Sequence, residues 1–244
     1  MQKIYSGLIL LLFVGISQAV ANPQLDEQLF ASIKARNLQA VVKLVESGAD
    51  VNARNAFGYT PLMFTMDVDV ASYLINKGAR VNDEMANGEN AILMNSDYGT
   101  KPMVALLVES GANIESVTRV GFAGMTPIMR ACENSNYDSV VYLANKGANV
   151  NHETKDGNTA LMLCIVSTAT TLKDVRGQKN ELYDAKMAAA LDAIKSLVEH
   201  GAKLDAHRVN LLNGTKSITP LGIAIQLRKQ EIIDYLRKLN APDT

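Results

Sequence analysis

The stretch Leu44-Val45-Glu46-Ser47-Gly48-Ala49-Asp50-Val51-Asn52-Ala53-Arg54-Asn55-Ala56-Phe57-Gly58-Tyr59-Thr60-Pro61-Leu62 decides the fold. Val41, Leu44 and Val45 recur at spacings of three and four, so they share one face of a helix. Gly48 follows directly, where the left-handed backbone that ends a helix costs a glycine little. A polar segment then leads to Thr60, whose hydroxyl suits an N-cap, and to Pro61, which fills a first helical position needing no donor. The reading is a helix, an extended finger and a second helix.

The same pattern runs down the chain. Gly-Ala recurs at Gly48, Gly78, Gly111, Gly147 and Gly201 and closes on Asn240-Ala241, at intervals of 30, 33, 36, 54 and 39 residues. Four residues before each point stands a leucine: Leu44, Leu74, Leu107, Leu143, Leu197 and Leu236. Seven before stand Val41, Ala71, Val104, Val140, Ile194 and Ile233. Between these marks Thr60-Pro61-Leu62, Asn90-Ala91-Ile92, Thr126-Pro127-Ile128, Thr159-Ala160-Leu161 and Thr219-Pro220-Leu221 each open a further apolar run. Fixed self-similarity at such a period marks stacked units that hide their apolar faces only against one another.

Here the chain resembles the ankyrin-repeat family, whose signature is Thr-Pro-Leu-His-x-Ala at a period of about 33 residues. The resemblance runs from Leu25 to about Ala241. It implies an all-α solenoid of about six helix-turn-helix units joined by finger loops, the first unit an N-terminal cap without the Thr-Pro element. The signature histidine is replaced by Met63, Leu93, Met129, Met162 and Gly222, so its hydrogen bonds between neighbouring fingers are missing and looser fingers are expected. Polar ends are expected at Glu27, Gln28, Lys34 and Arg36, and at Arg228, Lys229, Arg237 and Lys238.

Unit lengths vary. The distance from the Thr-Pro mark to the next Gly-Ala is 21 residues in three units, 18 in the second and 42 in the fifth. The surplus falls around Ser167 to Lys186, a polar segment with a turn signal at Gly177. Good helix formers from Glu181 onward predict a second helix lengthened by about two turns. The finger after Gly111 is three residues longer than its neighbours, and the last finger, Asp205 to Ile218, is longer still.

Residues 1–21 read as a cleaved secretory signal peptide: Lys3, an apolar run from Ile4 to Ile16, and Ala19-Val20-Ala21 before the cut. That run is too short for the roughly 20 residues of a membrane span. No stable membrane insertion is therefore expected, and residues 22–244 are expected to reach the periplasm or the exterior.

With 24 basic and 25 acidic side chains, the sequence gives no reason to expect nucleic acid. His152, His200 and His207 fit no metal-binding helix motif, and no nucleophile elbow, phosphate loop or dinucleotide fingerprint occurs. A non-enzymatic chain without a cofactor is the expectation. Cys132 and Cys164 lie in the first helices of adjacent units. Helices pack about 10 Å apart, whereas a disulfide needs Cα atoms within about 7 Å, so two buried thiols are favoured over a bridge.

In the ankyrin family, variable finger and first-helix positions grip a folded protein. Carried over, they fall on Arg54, Phe57, Tyr59, Glu84, Asn87, Glu89, Tyr98, Arg119, Phe122, Glu133, Asn134, Glu153, Lys155, Asp156 and Asn158. Arg54, Phe57, Tyr59, Tyr98 and Arg119 carry the sharpest expectation, since aromatics and arginine anchor interfaces. The resemblance extends to exported ankyrin-repeat proteins of Gram-negative bacteria, which include immunity proteins against periplasm-acting toxins such as lipases. A periplasmic scaffold for an envelope or stress-response enzyme, and a secreted effector aimed at a host protein, are the alternatives.

Overall fold

The structure is a computed structural model and describes residues 22–120, 124–171, 181–209 and 217–243. Residues 1–21, the expected leader, lie outside the described residues. Twelve helices among the described residues form six pairs: α1 (Pro23–Lys34) with α2 (Leu38–Glu46), α3 (Pro61–Phe64) with α4 (Val68–Asn76), α5 (Ala91–Tyr98) with α6 (Lys101–Glu109), α7 (Pro127–Glu133) with α8 (Tyr137–Asn145), α9 (Ala160–Thr171) with α10 (Glu181–Glu199), and α11 (Pro220–Gln226) with α12 (Gln230–Lys238). First helices stack in the order α1, α3, α5, α7, α9, α11, and the second helices α2, α4, α6, α8 and α10 stack behind them.

The leucine lattice is the core of that stack. Leu74, Leu107, Leu143, Leu197 and Leu236 are fully buried, as are Val41, Ala71, Val104, Val140 and Ile194. Leu44, in the end unit, is half-buried and packs on one side only. Gly48, Gly78, Gly111, Gly147 and Gly201 all take left-handed backbone, and Asn240 takes it at φ 55° in the sixth unit. Asparagine is the residue after glycine that tolerates this region best. Unit two is short because α3 has only four residues.

Asparagines supply ties between fingers where the histidines are missing. Asn52 Nδ2 donates to Gly78 O at 3.1 Å while its Oδ1 accepts from Arg80 N at 2.8 Å. Asn82 makes the same pair of bonds to Gly111 O and Asn113 N, and Asn151 makes them to Gly201 O and Lys203 N. Each asparagine follows its helix-ending glycine by four residues, so one side chain serves both the carbonyl and the amide of the next finger. The expectation of looser fingers is corrected on this ground. At the C-terminal end, Gly222 stands where the signature has histidine because the terminal segment packs there: an added Cβ would meet Asp243 O at 2.9 Å.

The surplus of the fifth unit goes largely into helix. α10 has 19 residues against nine in every other second helix, and α9 has 12. Ten extra residues add about 15 Å, nearly three turns where two were expected. Ser167 and Thr168, read as the start of a polar loop, are buried in α9 because their hydroxyls bond back to Cys164 O and Ile165 O. Tyr137 Oη lies 3.0 Å from Ser167 Oγ, and Lys229 Nζ donates to Thr168 O at 3.1 Å, so both neighbouring units hold the extended helix. Gly177 lies outside the described residues.

Cys132 and Cys164 are joined in a disulfide across α7 and α9, with Cα atoms 4.4 Å apart. The expectation of two thiols fails because 10 Å is a distance between helix axes. Each Cα stands about 2.3 Å off its axis, so facing positions on axes 8–10 Å apart bring their Cα atoms to roughly 4–5 Å. Within the last finger, Arg208–Val209 pairs antiparallel with Ser217–Ile218 over two residues each, a local addition to the all-α stack.

A candidate protein-binding face

Side-chain bonds run from each of the first three fingers to the next. Arg54 anchors its first finger: Nη1 donates to Gly58 O at 2.9 Å and Nη2 to Glu84 O of the next finger at 3.1 Å, with Asp83 at 3.5 Å. Glu84 in turn takes Arg119 of the third finger, and Arg119 N donates to Asn87 O at 2.8 Å. Two guanidinium groups therefore stitch three fingers together, while Arg54 and Arg119 side chains stay 42% and 57% exposed. Gly88 sits under this contact at φ 85°, and a Cβ there would strike Val117 O at 2.8 Å.

On this braced frame two apolar side chains face solvent. Phe57 is 78% exposed, although Asn55 Oδ1 accepts from the backbone of Phe57 and Tyr59 and fixes the turn that carries it. Val120 is 68% exposed on the third finger. Tyr59 is half-buried, its ring 6.3 Å from Phe64, so it packs the finger base and is not the free anchor expected. Phe122 lies outside the described residues.

Behind the fingers lies a charged floor between the third and fourth units. Arg130 of α7 reaches back to Glu89 and, at 2.9 Å, to Asp97 Oδ2 of α5. Asn134 Nδ2 donates to Asp97 Oδ1 at 2.9 Å. Burial pushes the Asp97 carboxyl up to about 6, helped by Glu89 and Glu133 and opposed by Arg130 and Asn134. Glu89, Glu133 and Asn134, three of the positions carried over from the family, thus lie around the Asp97 carboxylate. Arg130 and Asp97 were not singled out from sequence, although a charge in each of two adjacent apolar first helices was a usable signal.

The remaining positions disperse. Glu153, Lys155 and Asp156 are exposed on the fourth finger and Asn158 is half-buried. His152 holds that finger through Nε2 to Gly124 O at 2.9 Å. Tyr98 is 71% exposed at the end of α5, on the edge away from the fingers.

The family model for ankyrin repeats (three copies) matches residues 29–118 and 98–176, more than half of the chain. The chain belongs to the ankyrin-repeat family. An ankyrin repeat protein of Acanthamoeba polyphaga mimivirus is 23% identical over 221 residues, 86% of this chain and 27% of its own length. The mitochondrial disaggregase of Bos taurus is 30% identical over 141 residues, covering 56% of this chain and 20% of its own. A fem-1 homolog A-like protein of Mus musculus is 33% identical over 101 residues, 40% of this chain and 15% of its own. The ankyrin-repeat chain thus spans less than a third of these relatives. Ankyrin repeats are a protein-interaction scaffold, and no helix among the described residues is long and apolar enough to cross a membrane.

Proposed function

We propose that this ankyrin-repeat protein is an exported, non-enzymatic binder of one folded protein, held against the fingers and first helices. The observation that carries the reading is Phe57, a large apolar side chain left 78% exposed on a finger fixed by backbone and guanidinium bonds. An aromatic presented on a rigid support loses little entropy on binding, which is the property of an interface anchor. Arg54, Arg119 and Val120 add exposed charge and a second apolar side chain on neighbouring fingers.

Two features support an oxidising, extracytoplasmic setting: the tripartite pattern of residues 1–21 and the Cys132–Cys164 disulfide. The narrower form of the reading is an immunity protein that occludes a periplasm-acting toxin such as a lipase.

The test is quantitative binding to proteins captured from the native envelope, comparing the wild type with F57A and R119A. Each change should weaken the specific partner at least tenfold, and F57A, which removes only an exposed ring, should leave the unfolding midpoint in place. Binding that ignores both changes overturns the finger-side reading. For the narrower form, deletion of the gene should sensitise cells to one exported hydrolase, with rescue only by a version carrying residues 1–21.

A further inference from the structure

The lengthened α10 builds something on the opposite edge of the stack. Its first ten residues, Glu181 to Ala190, extend past the level at which α8 begins and overhang the turn between α7 and α8. An open cleft of about 690 Å³ lies between the two. Ala185 and Ala189 form one wall and Glu133 to Asp138 the other.

The chemistry of the walls is lopsided. Among the described residues that line it, Glu133 and Asp138 contribute carboxylates and Lys186 an ammonium. The C-terminal end of α7 opens onto the same space and adds the partial negative charge of a helix terminus. Asp97 lies one layer behind, bonded to Asn134 of the cleft wall, and Glu133 is close enough to raise its proton affinity. Carboxylates beside a helix C-terminus form an environment that attracts a lysine or arginine head group. The two alanines allow a backbone to approach, because neither projects beyond Cβ.

We propose that this cleft is a second binding site, separate from the finger that carries Phe57, which takes a lysine- or arginine-bearing segment of a partner protein. Its occupant is set by charge: a cation between Glu133 and Asp138, with chain running along the alanine face of α10. No group of three metal-ligating side chains occurs among the described residues, which favours a cationic side chain over a metal ion. Cleft and overhang arise from the same ten residues, so the site belongs to this chain and not to a standard unit.

Titration of the isotopically labelled protein with a capped hexapeptide rich in arginine and lysine tests this, with a glutamate-rich hexapeptide as control. Amides of Ser135 to Asp138 and Lys186 to Ala189 should shift saturably with the basic peptide, and less as salt is raised. The double variant E133Q/D138N should weaken the binding at least tenfold, and A189R, which places a competing cation in the cleft, should abolish it. F57A should leave it unchanged. Shifts confined to the fingers, equal shifts with the acidic peptide, or binding indifferent to both cleft variants would each overturn the proposal.

Discussion

Arg130 of α7 and Asp97 of α5 meet at 2.9 Å across the boundary of two repeats, with the carboxylate side chain only 5% exposed and the guanidinium 11%. Both groups are largely removed from water, and a buried pair is held at a desolvation cost that its attraction only partly offsets. Two further carboxylates, Glu89 and Glu133, push the same way as burial, which is why Asp97 binds its proton near pH 6.

That value sets a direction for stability against pH. A folded-state value of about 6, above the ordinary 3.8, means that the folded protein takes up this proton before the unfolded chain does. The contribution of Asp97 to stability therefore rises as pH falls from about 6 toward 4 and is lost as pH rises back through 6. A shift of this size corresponds to an effect on the order of 3 kcal/mol. Urea unfolding between pH 4 and 8 should show that slope in the wild type, and D97N should flatten it. A parallel slope in D97N would place the proton elsewhere.

Much of this architecture is legible in the sequence because it repeats. Six leucines at one offset from six helix stops leave the chain a single arrangement that buries them together, and Asn240 fits because it tolerates the backbone that Gly201 adopts. Interactions that cross between repeats are less legible. Arg130 finds Glu89 at 41 positions' remove, a pairing that no local spacing encodes. Asn52, Asn82 and Asn151 stand in a register visible in the sequence, yet their role emerges only when Gly78, Gly111 and Gly201 are placed beside them. Tyr59 and Phe57 look equally available two residues apart. Phe64, at the end of the short α3, draws in only the first.

The bridge between Cys132 and Cys164 closes a loop of 32 residues in sequence across two units. Constraint of the unfolded chain by a loop of this length stabilises by roughly 3–4 kcal/mol. The C132S/C164S variant should lose an amount in that range in urea, and reductant should have no further effect on it. Both sulfurs are fully buried, so the folded wild type should resist reductant until it opens locally. Equal midpoints with and without the bridge would remove it as a stabilising element.

Position in the stack should grade the core. Leu107 is fully buried between neighbours on both sides, whereas Leu44 lies half-buried in the end unit. L107A should cost about 2–5 kcal/mol and L44A nearer 1 kcal/mol, since the first leaves a cavity and the second a surface that can relax. Central damage should also divide the unfolding transition, because each unit is stable only through its neighbours. Denaturation followed by circular dichroism checks both outcomes.

At Glu115, four residues after Gly111, a carboxylate stands where Asn52, Asn82 and Asn151 offer an amide. Its Oε1 accepts from Asn149 N at 2.8 Å, matching the bonds that Asn52, Asn82 and Asn151 accept from the following finger. A carboxylate has no hydrogen to offer Gly147 O, the counterpart of the glycine carbonyls that those three asparagines reach. E115N should restore the second bond and raise stability by about 0.5–1 kcal/mol. N82D should remove one and lower stability by a similar amount. Hydrogen exchange at Asn149 and at Asn113 reports the two fingers separately, and E115N should slow exchange at the first as N82D speeds it at the second. If both substitutions move stability in the same direction, the tie is not what holds neighbouring fingers in register.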